Sequence, residues 1–169
     1  MSKTLESTTI MVVDDTPANL KLLQKMLQTK GYLVLTFPRG AMALAAAARK
    51  APDLILLDIN MPEMSGFEVC ERLKADDALK EIPVIFISAL AETADKVKAF
   101  SVGGVDYVAK PFQFEEVNAR VETHLRLHRM QLEIEEERRR LKQALDEIRT
   151  LRGIVPDRKS TRLNSSHRL

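Results

Sequence analysis

The residues of this chain best suited to chemistry are Asp14, Asp15, Asp58, Ser88 and Lys110, each at or just past the end of a short apolar run. Three carboxylates brought together repel one another and raise each other's pKa unless positive charge sits among them. A hard, oxygen-seeking cation meets that need. Mg²⁺, or Mn²⁺ in its place, is the expected cofactor, because Mg²⁺ is commonly held by one or two carboxylates plus phosphate oxygens and water. A carboxylate can itself accept a phosphoryl group as an aspartyl phosphate. A cation, an ammonium and a hydroxyl around that point would stabilise the charge spread over the transferring oxygens. Taken singly these residues are bland: an Asp pair before a helix is usually a cap, Ser88 a turn residue, Lys110 a solvated charge. Their joint placement at strand ends is what favours a site.

The elements that would position them can be read from periodicity. Apolar runs at Ile10–Val13, Tyr32–Phe37, Leu54–Leu57, Val84–Ile87 and Tyr107–Ala109 alternate with longer helical patterns, as in a parallel α/β sheet. LILL and VIFI are continuously apolar, as expected of central strands covered by helices on both faces, so the sheet is read as doubly wound. Such sheets bind ligands at the carboxyl ends of their strands, where the polar residues fall. Between the runs, Leu20, Leu23 and Leu27 keep helical spacing, with Pro17 suited to a first turn and Gly31 to a stop. Gly40–Lys50 reads as alanine-rich helix. Ser65 with Glu68 reads as a capping box opening a third helix, and Glu92–Val102 supplies a fourth, ended by Gly103 and Gly104.

From Gln113 nothing breaks the helix until Gly153. Within it Leu127, Ile134, Leu141 and Ile148 fall seven apart, with Met130, Ala144 and Leu151 at the matching second positions and Glu137 the polar exception. The expected organisation is a short disordered N-terminus (1–7), one α/β domain (8–126), a coiled-coil helix (127–152) and a disordered tail (153–169). The seam is read as a homodimer contact in preference to a helix serving a missing output domain. Asp157–His167, DRKSTRLNSSH, matches one reading frame of a common sequencing adapter, so it is treated as an artefact, and the natural chain is expected to continue past Pro156.

The formal charge of +2 comes from that tail, since residues 157–169 carry +3 and leave −1 for the rest. With no tryptophan and few aromatics, direct nucleic-acid binding is not expected. A lone Cys70, no signal-peptide pattern and no membrane-length apolar stretch make the cytoplasm the default location. Cys70 is read as a small core hydrophobe. His124 and His128, one helical turn apart, are read as a solvated helix face rather than a metal chelate.

The segments VVDDTPANL, LILLDINMPEMSGFEVCERLK, IPVIFISAL and GGVDYVAKPF, at their present separations, resemble the receiver domains of two-component response regulators over roughly residues 8 to 127. The resemblance implies a flavodoxin-like strand order of 2-1-3-4-5 with an extended C-terminal helix. It implies Asp58 as phosphoacceptor, with metal ligands from Asp15, Asp58 and the backbone carbonyl of Asn60, and Asp14 acting through water. Ser88 would bond the phosphoryl oxygen and Lys110 would pair with it. Ser88 and Tyr107 would act as the switch, Tyr107 matching an aromatic whose inward or outward position follows phosphorylation. Lys110–Pro111 would be a cis peptide. The phosphoryl donor would be a histidine kinase or histidine phosphotransfer protein. Gly104 departs from the Ala of many receivers and is expected to loosen the loop before the fifth strand.

Two rivals share the architecture. A haloacid-dehalogenase-like phosphatase would carry its nucleophile in a D-x-D pattern after the first strand, where this chain has adjacent acids. A flavodoxin-like cofactor binder would need a Ser/Thr/Gly-rich phosphate loop there, and the acidic DDTPAN would repel the phosphate. A degenerate receiver finds little support, since no key residue is missing. The expectation is therefore a switch and not an enzyme, with at most slow self-dephosphorylation.

Overall fold

A computed structural model describes residues 8–89 and 93–153. The expectations of disorder for 1–7 and 154–169, the adapter-like string and the proposed helix start at Glu92 lie outside the described residues. The described chain divides after His128 into two compact units.

In the first unit five parallel strands, β1 (Thr9–Val13), β2 (Leu33–Phe37), β3 (Leu54–Asp58), β4 (Val84–Ser88) and β5 (Asp106–Ala109), form one sheet in the order β2-β1-β3-β4-β5. The helices between them are α1 (Pro17–Thr29), α2 (Gly40–Arg49), α3 (Gly66–Ala75) and α4 (Thr93–Ser101), followed by the long α5 (Phe114–Leu151). This is the doubly wound order expected from the resemblance. Side chains alternate across the pleat, so each strand feeds two cores. Met11, Val13, Ile55, Leu57, Val84 and Phe86 pack with Ala43 and Ala47 of α2, Val69, Cys70 and Leu73 of α3, and Ala99 of α4. Ile10, Val12, Leu54, Leu56, Ile85, Ile87 and Val108 pack on the other face with Leu23 and Leu27 of α1 and Val117, Val121 and Leu125 of α5. Each fully buried Leu or Ile contributes about 1.5–3 kcal/mol, so the two faces fix the sheet firmly.

Local signals set the boundaries. Pro17 occupies the first turn of α1. Gly31, with φ +91°, follows that helix in a backbone conformation that favours glycine. Ser65 Oγ accepts from the Glu68 amide at 3.2 Å, the N-terminal cap of α3. Cys70 is buried, and burial pushes its thiol up to about 11, as befits a core residue.

Gly104 does the opposite of loosening. A Cβ there would lie 2.6 Å from Cε2 of the buried Phe86 and 2.8 Å from the Ala99 carbonyl oxygen, so glycine permits close packing between α4 and β4. The expectation of a looser loop is corrected on that ground.

In the second unit, residues 129–151 of α5 remain helical. Its apolar residues Met130, Ile134, Leu141, Ile148 and Leu151 are all exposed, and Arg140 pairs with Glu136 one turn away at 2.6 Å. No described helix is long and apolar enough to cross a membrane.

Candidate functional site

Register brings the strand ends level. Val13 pairs with Leu57, Asp58 with Ile87, and Ser88 with Ala109, so the next residues in chain order, Asp14 and Lys110, join Asp58 and Ser88 at one edge of the sheet. Asp14, Asp58 and Ser88 are buried and polar at the carboxyl ends of three strands that are otherwise apolar apart from Thr9. Buried polar groups must be paired, and the two carboxylates share Lys110 as a partner.

Carboxylate oxygens of Asp14, Asp15 and Asp58 all lie within 4.8 Å of one another, with Asp15 exposed and the other two buried. Lys110 Nζ donates to Asp14 Oδ2 at 2.9 Å and sits 3.4 Å from Asp58 Oδ1. Asp14 accepts further bonds from the Thr16 amide at 2.8 Å and Asn19 Nδ2 at 3.3 Å. These bonds brace the turn into α1, but the helix N-cap is Thr16, which makes no side-chain cap bond, so the bland reading of Asp14 as a cap is not borne out. Asp58 keeps an oxygen for other work.

The electrostatics follow from this placement. Burial, then the neighbouring Asp14 and more weakly Asp15, push the Asp58 carboxyl from 3.8 to about 6, against the opposing pull of Lys110. For Lys110, burial works against the charge, but the hydrogen bond to Asp14 and the attraction of Asp58 outweigh it and hold the ammonium above its usual range. Three acids against one ammonium leave a deficit of positive charge. Hard carboxylate oxygens at this spacing fit a divalent cation such as Mg²⁺.

The loop after β3 is held close to the helix that follows it. The Gly66 amide donates to the Ile59 carbonyl at 2.8 Å, and a Cβ on Gly66 would collide with the Asp58 carbonyl. Asn60 lies exposed in this loop, two residues past Asp58. Glu63, with φ +69°, turns the chain there, and its carboxylate is 3.3 Å from Arg39.

Tyr107 lies inward, its ring in the core beside α4, with Lys96 Nζ 5.7 Å from the ring centre. Its buried hydroxyl lies near Ser88 but lacks a partner in good hydrogen-bond geometry. Burial, then the nearby Asp95, push that hydroxyl up, and Ser88 opposes the shift. Lys110–Pro111 is cis, as the resemblance implied.

The expected residues Asp14, Asp15, Asp58 and Lys110 thus come together, with Ser88 level with them and Tyr107 beneath. Asn19 was missed, although a short polar side chain five residues after Asp14, in the first turns of a helix, is a readable partner. The solvated reading of His124 is corrected. Its Nε2 lies 2.8 Å from Asp106 Oδ2, while Arg120 Nη1 donates to Asp106 Oδ1 at 2.8 Å. No such carboxylate was expected on that helix face.

Comparison with known proteins agrees with this geometry. The model of the family "Response regulator receiver domain" matches residues 10–122. The chain is 43% identical over 134 residues to the response regulator PleD of Caulobacter vibrioides, covering 79% of this chain and 29% of PleD. Across the curated relatives it matches, the chain spans between 29% and 56% of their length. Among solved structures it resembles the chemotaxis protein CheY4 of Vibrio cholerae, with TM-score 0.66 and 28% identity over 69% of this chain and 97% of that one. It also resembles the BeF3-activated receiver domain of DrrB, with TM-score 0.65 and 34% identity over 70% of this chain and 97% of that one. With the acid cluster, the buried aspartate and the strand order in hand, this chain belongs to the response regulator receiver domain family, the phosphorylation-dependent switches of two-component signalling.

Proposed function

We propose that Asp58 accepts a phosphoryl group from a histidine kinase or histidine phosphotransfer protein. The single observation carrying this reading is the buried Asp58 carboxylate at the sheet edge, 3.4 Å from the Lys110 ammonium and flanked by two further acids. An Asp58 oxygen attacks phosphorus, the phosphorus–nitrogen bond of the donor phosphohistidine breaks, and its electron pair returns to the imidazole. Asp15, Asp58 and the Asn60 carbonyl would hold Mg²⁺ or Mn²⁺, with Asp14 acting through water. When bound, the cation would offset charge on the phosphoryl oxygens. Lys110 shifts from neutralising Asp58 to pairing with the phosphoryl group. The Ser88 hydroxyl donates to a phosphoryl oxygen, and Tyr107, packed beneath it, responds to that movement.

Phosphorylation then biases the surface of α4, β5 and α5 between two populated arrangements, and α5 relays the state to an output partner or domain. Dimerisation through α5 and a cytoplasmic location complete the reading. The protein acts as a switch, with self-dephosphorylation no faster than a slow leak. Incubation with a small acyl phosphate and Mg²⁺ is expected to add the mass of one phosphoryl group, absent in Asp58→Ala. No mass gain, or an equal gain in Asp58→Ala, overturns the assignment.

A further inference from the structure

The exposed stripe on residues 127–152 carries more information than its apolar character. With Leu127, Ile134, Leu141 and Ile148 as the first core position of each heptad, the positions flanking the core on either side hold Glu133, Arg140 and Glu147 on one flank, and Gln131, Arg138, Leu145 and Arg152 on the other. In a parallel, in-register pair, each residue of the first flank meets the second-flank residue five places on in the partner helix. That matching sets Glu133 against Arg138 of a second copy and Glu147 against Arg152. Twofold symmetry repeats each contact, giving four favourable ion pairs. The remaining matches, Arg126 with Gln131 and Arg140 with Leu145, carry no repulsion.

Antiparallel overlap of the same segments produces the opposite result. There the first flank meets itself, placing Glu133 against Glu147 and Arg140 against Arg140, while the second flank brings Arg138 against Arg138. Glu137, at a core position, would also face Leu141, an uncompensated carboxylate against an aliphatic layer. In the parallel arrangement Glu137 meets its own counterpart, a like-charge layer whose repulsion the arginines at 138 on both helices offset in part. A single polar core layer costs stability but fixes register.

Resting on the dimer reading above, we propose that α5 beyond the first unit pairs with a second copy of this chain as a parallel, in-register two-stranded coiled coil, selected by the Glu133–Arg138 and Glu147–Arg152 contacts. Among the described residues the seam side chains stand exposed. Ile134, Leu141 and Ile148 are 58%, 62% and 48% exposed, a continuous apolar seam that a soluble helix does not ordinarily leave uncovered. The occupant follows from the complementarity of the segment with itself.

The full chain is used to test this. Leu141→Cys is oxidised under mild conditions, alongside a mixture of Ile134→Cys and Ala144→Cys chains; Cys70 is buried and takes no part. Parallel in-register pairing predicts efficient 141-to-141 linkage and little 134-to-144 linkage. The reverse pattern overturns the proposal while leaving dimerisation standing. A monomer in sedimentation equilibrium, at all concentrations up to those used for linkage, overturns both. Phosphorylation of Asp58 is scored separately by mass and depends on neither result. Reversing both glutamates, Glu133→Arg with Glu147→Arg, is expected to weaken the dimer roughly ten- to hundredfold. Adding Arg138→Glu and Arg152→Glu should restore it. No loss on the first pair of changes, or no recovery on the second, removes the charge argument.

Discussion

Replacing Asp58 with Asn should stabilise the metal-free protein, by an amount that depends on pH in a defined way. Burial and Asp14 raise the Asp58 carboxyl from 3.8 to about 6. Between those values the folded protein retains a proton that the unfolded chain has already lost. The contribution of this group to stability is therefore full below 3.8 and is lost as pH rises through about 6. At about 1.36 kcal/mol for each tenfold change in the protonation constant, the loss at about pH 7.5 is on the order of 3 kcal/mol. At about pH 4 it is on the order of 0.5 kcal/mol, because the folded carboxyl is still protonated and the unfolded one has only begun to ionise.

Asparagine carries no charge and escapes this loss. Its packing and hydrogen-bonding penalties lower the whole curve without altering its slope, so the informative quantity is the difference between the two pH values. Urea unfolding in chelator, followed by circular dichroism, should show Asp58→Asn gaining about 2 kcal/mol more, relative to wild type, at about pH 7.5 than at about pH 4. Saturating Mg²⁺ should shrink that advantage, since a cation among the carboxylates favours the ionised wild type. An advantage of the same size at both pH values would mean that burial and repulsion do not govern this carboxyl, and the electrostatic reasoning would fail.

Asp15→Asn, which removes an exposed acid from the cluster, should weaken Mg²⁺ binding at least about tenfold in calorimetric titration while leaving the metal-free fold unchanged; unaltered affinity would exclude Asp15 as a ligand. Gly104→Ala should cost about 1–3 kcal/mol in urea unfolding, because neither buried Phe86 nor the Ala99 carbonyl has room to yield. Asp106 is partly buried, which alone would raise its carboxyl, but bonds from His124, the Tyr107 amide and Arg120 outweigh that effect and hold it below 3.8. Its stabilisation is present above 3.8 and is lost as pH falls through that lowered value. Asp106→Asn should therefore cost about 1–2 kcal/mol near neutrality, with the cost shrinking in acid; a cost independent of pH would refute the charged pairing.

The parts that could be read from the sequence were those governed by local pattern. Strands β3 and β4 were visible because burial on both faces demands unbroken apolar runs, and each structural boundary extended the expected run by one polar residue, Asp58 or Ser88. The site was visible because a parallel sheet gathers its strand ends. Position-specific roles came instead from family resemblance: neither period nor composition distinguishes Asp58 from Asp14 as acceptor. What escaped depended on contacts between distant segments. Gly104 looked permissive as a residue type, and it is Phe86 of β4, with the Ala99 carbonyl, that turns that smallness into a requirement. His124 lies three residues after Val121 and seven after Val117, on the flank of the buried stripe of α5. That spacing was readable, but its partner Asp106 stands eighteen residues earlier, at the start of a strand.

The destabilisation worked out for Asp58 also bears on why such a cluster can serve as a switch. A carboxylate held near 6 by burial and like charge is a reservoir of unfavourable energy in the metal-free fold. Lys110, shared between Asp14 and Asp58, relieves only part of it, and one ammonium cannot satisfy three acids. A divalent cation would relieve the remainder and draw Lys110 less strongly to Asp14, leaving its ammonium available to a phosphoryl group on Asp58. The buried Tyr107 hydroxyl, near Ser88 and without a well-formed bond of its own, is a second incomplete contact at the same strand ends. On the proposed reading, the raised Asp58 carboxyl and the incompletely bonded Tyr107 hydroxyl would give phosphorylation a differential interaction with two arrangements, which any population shift requires.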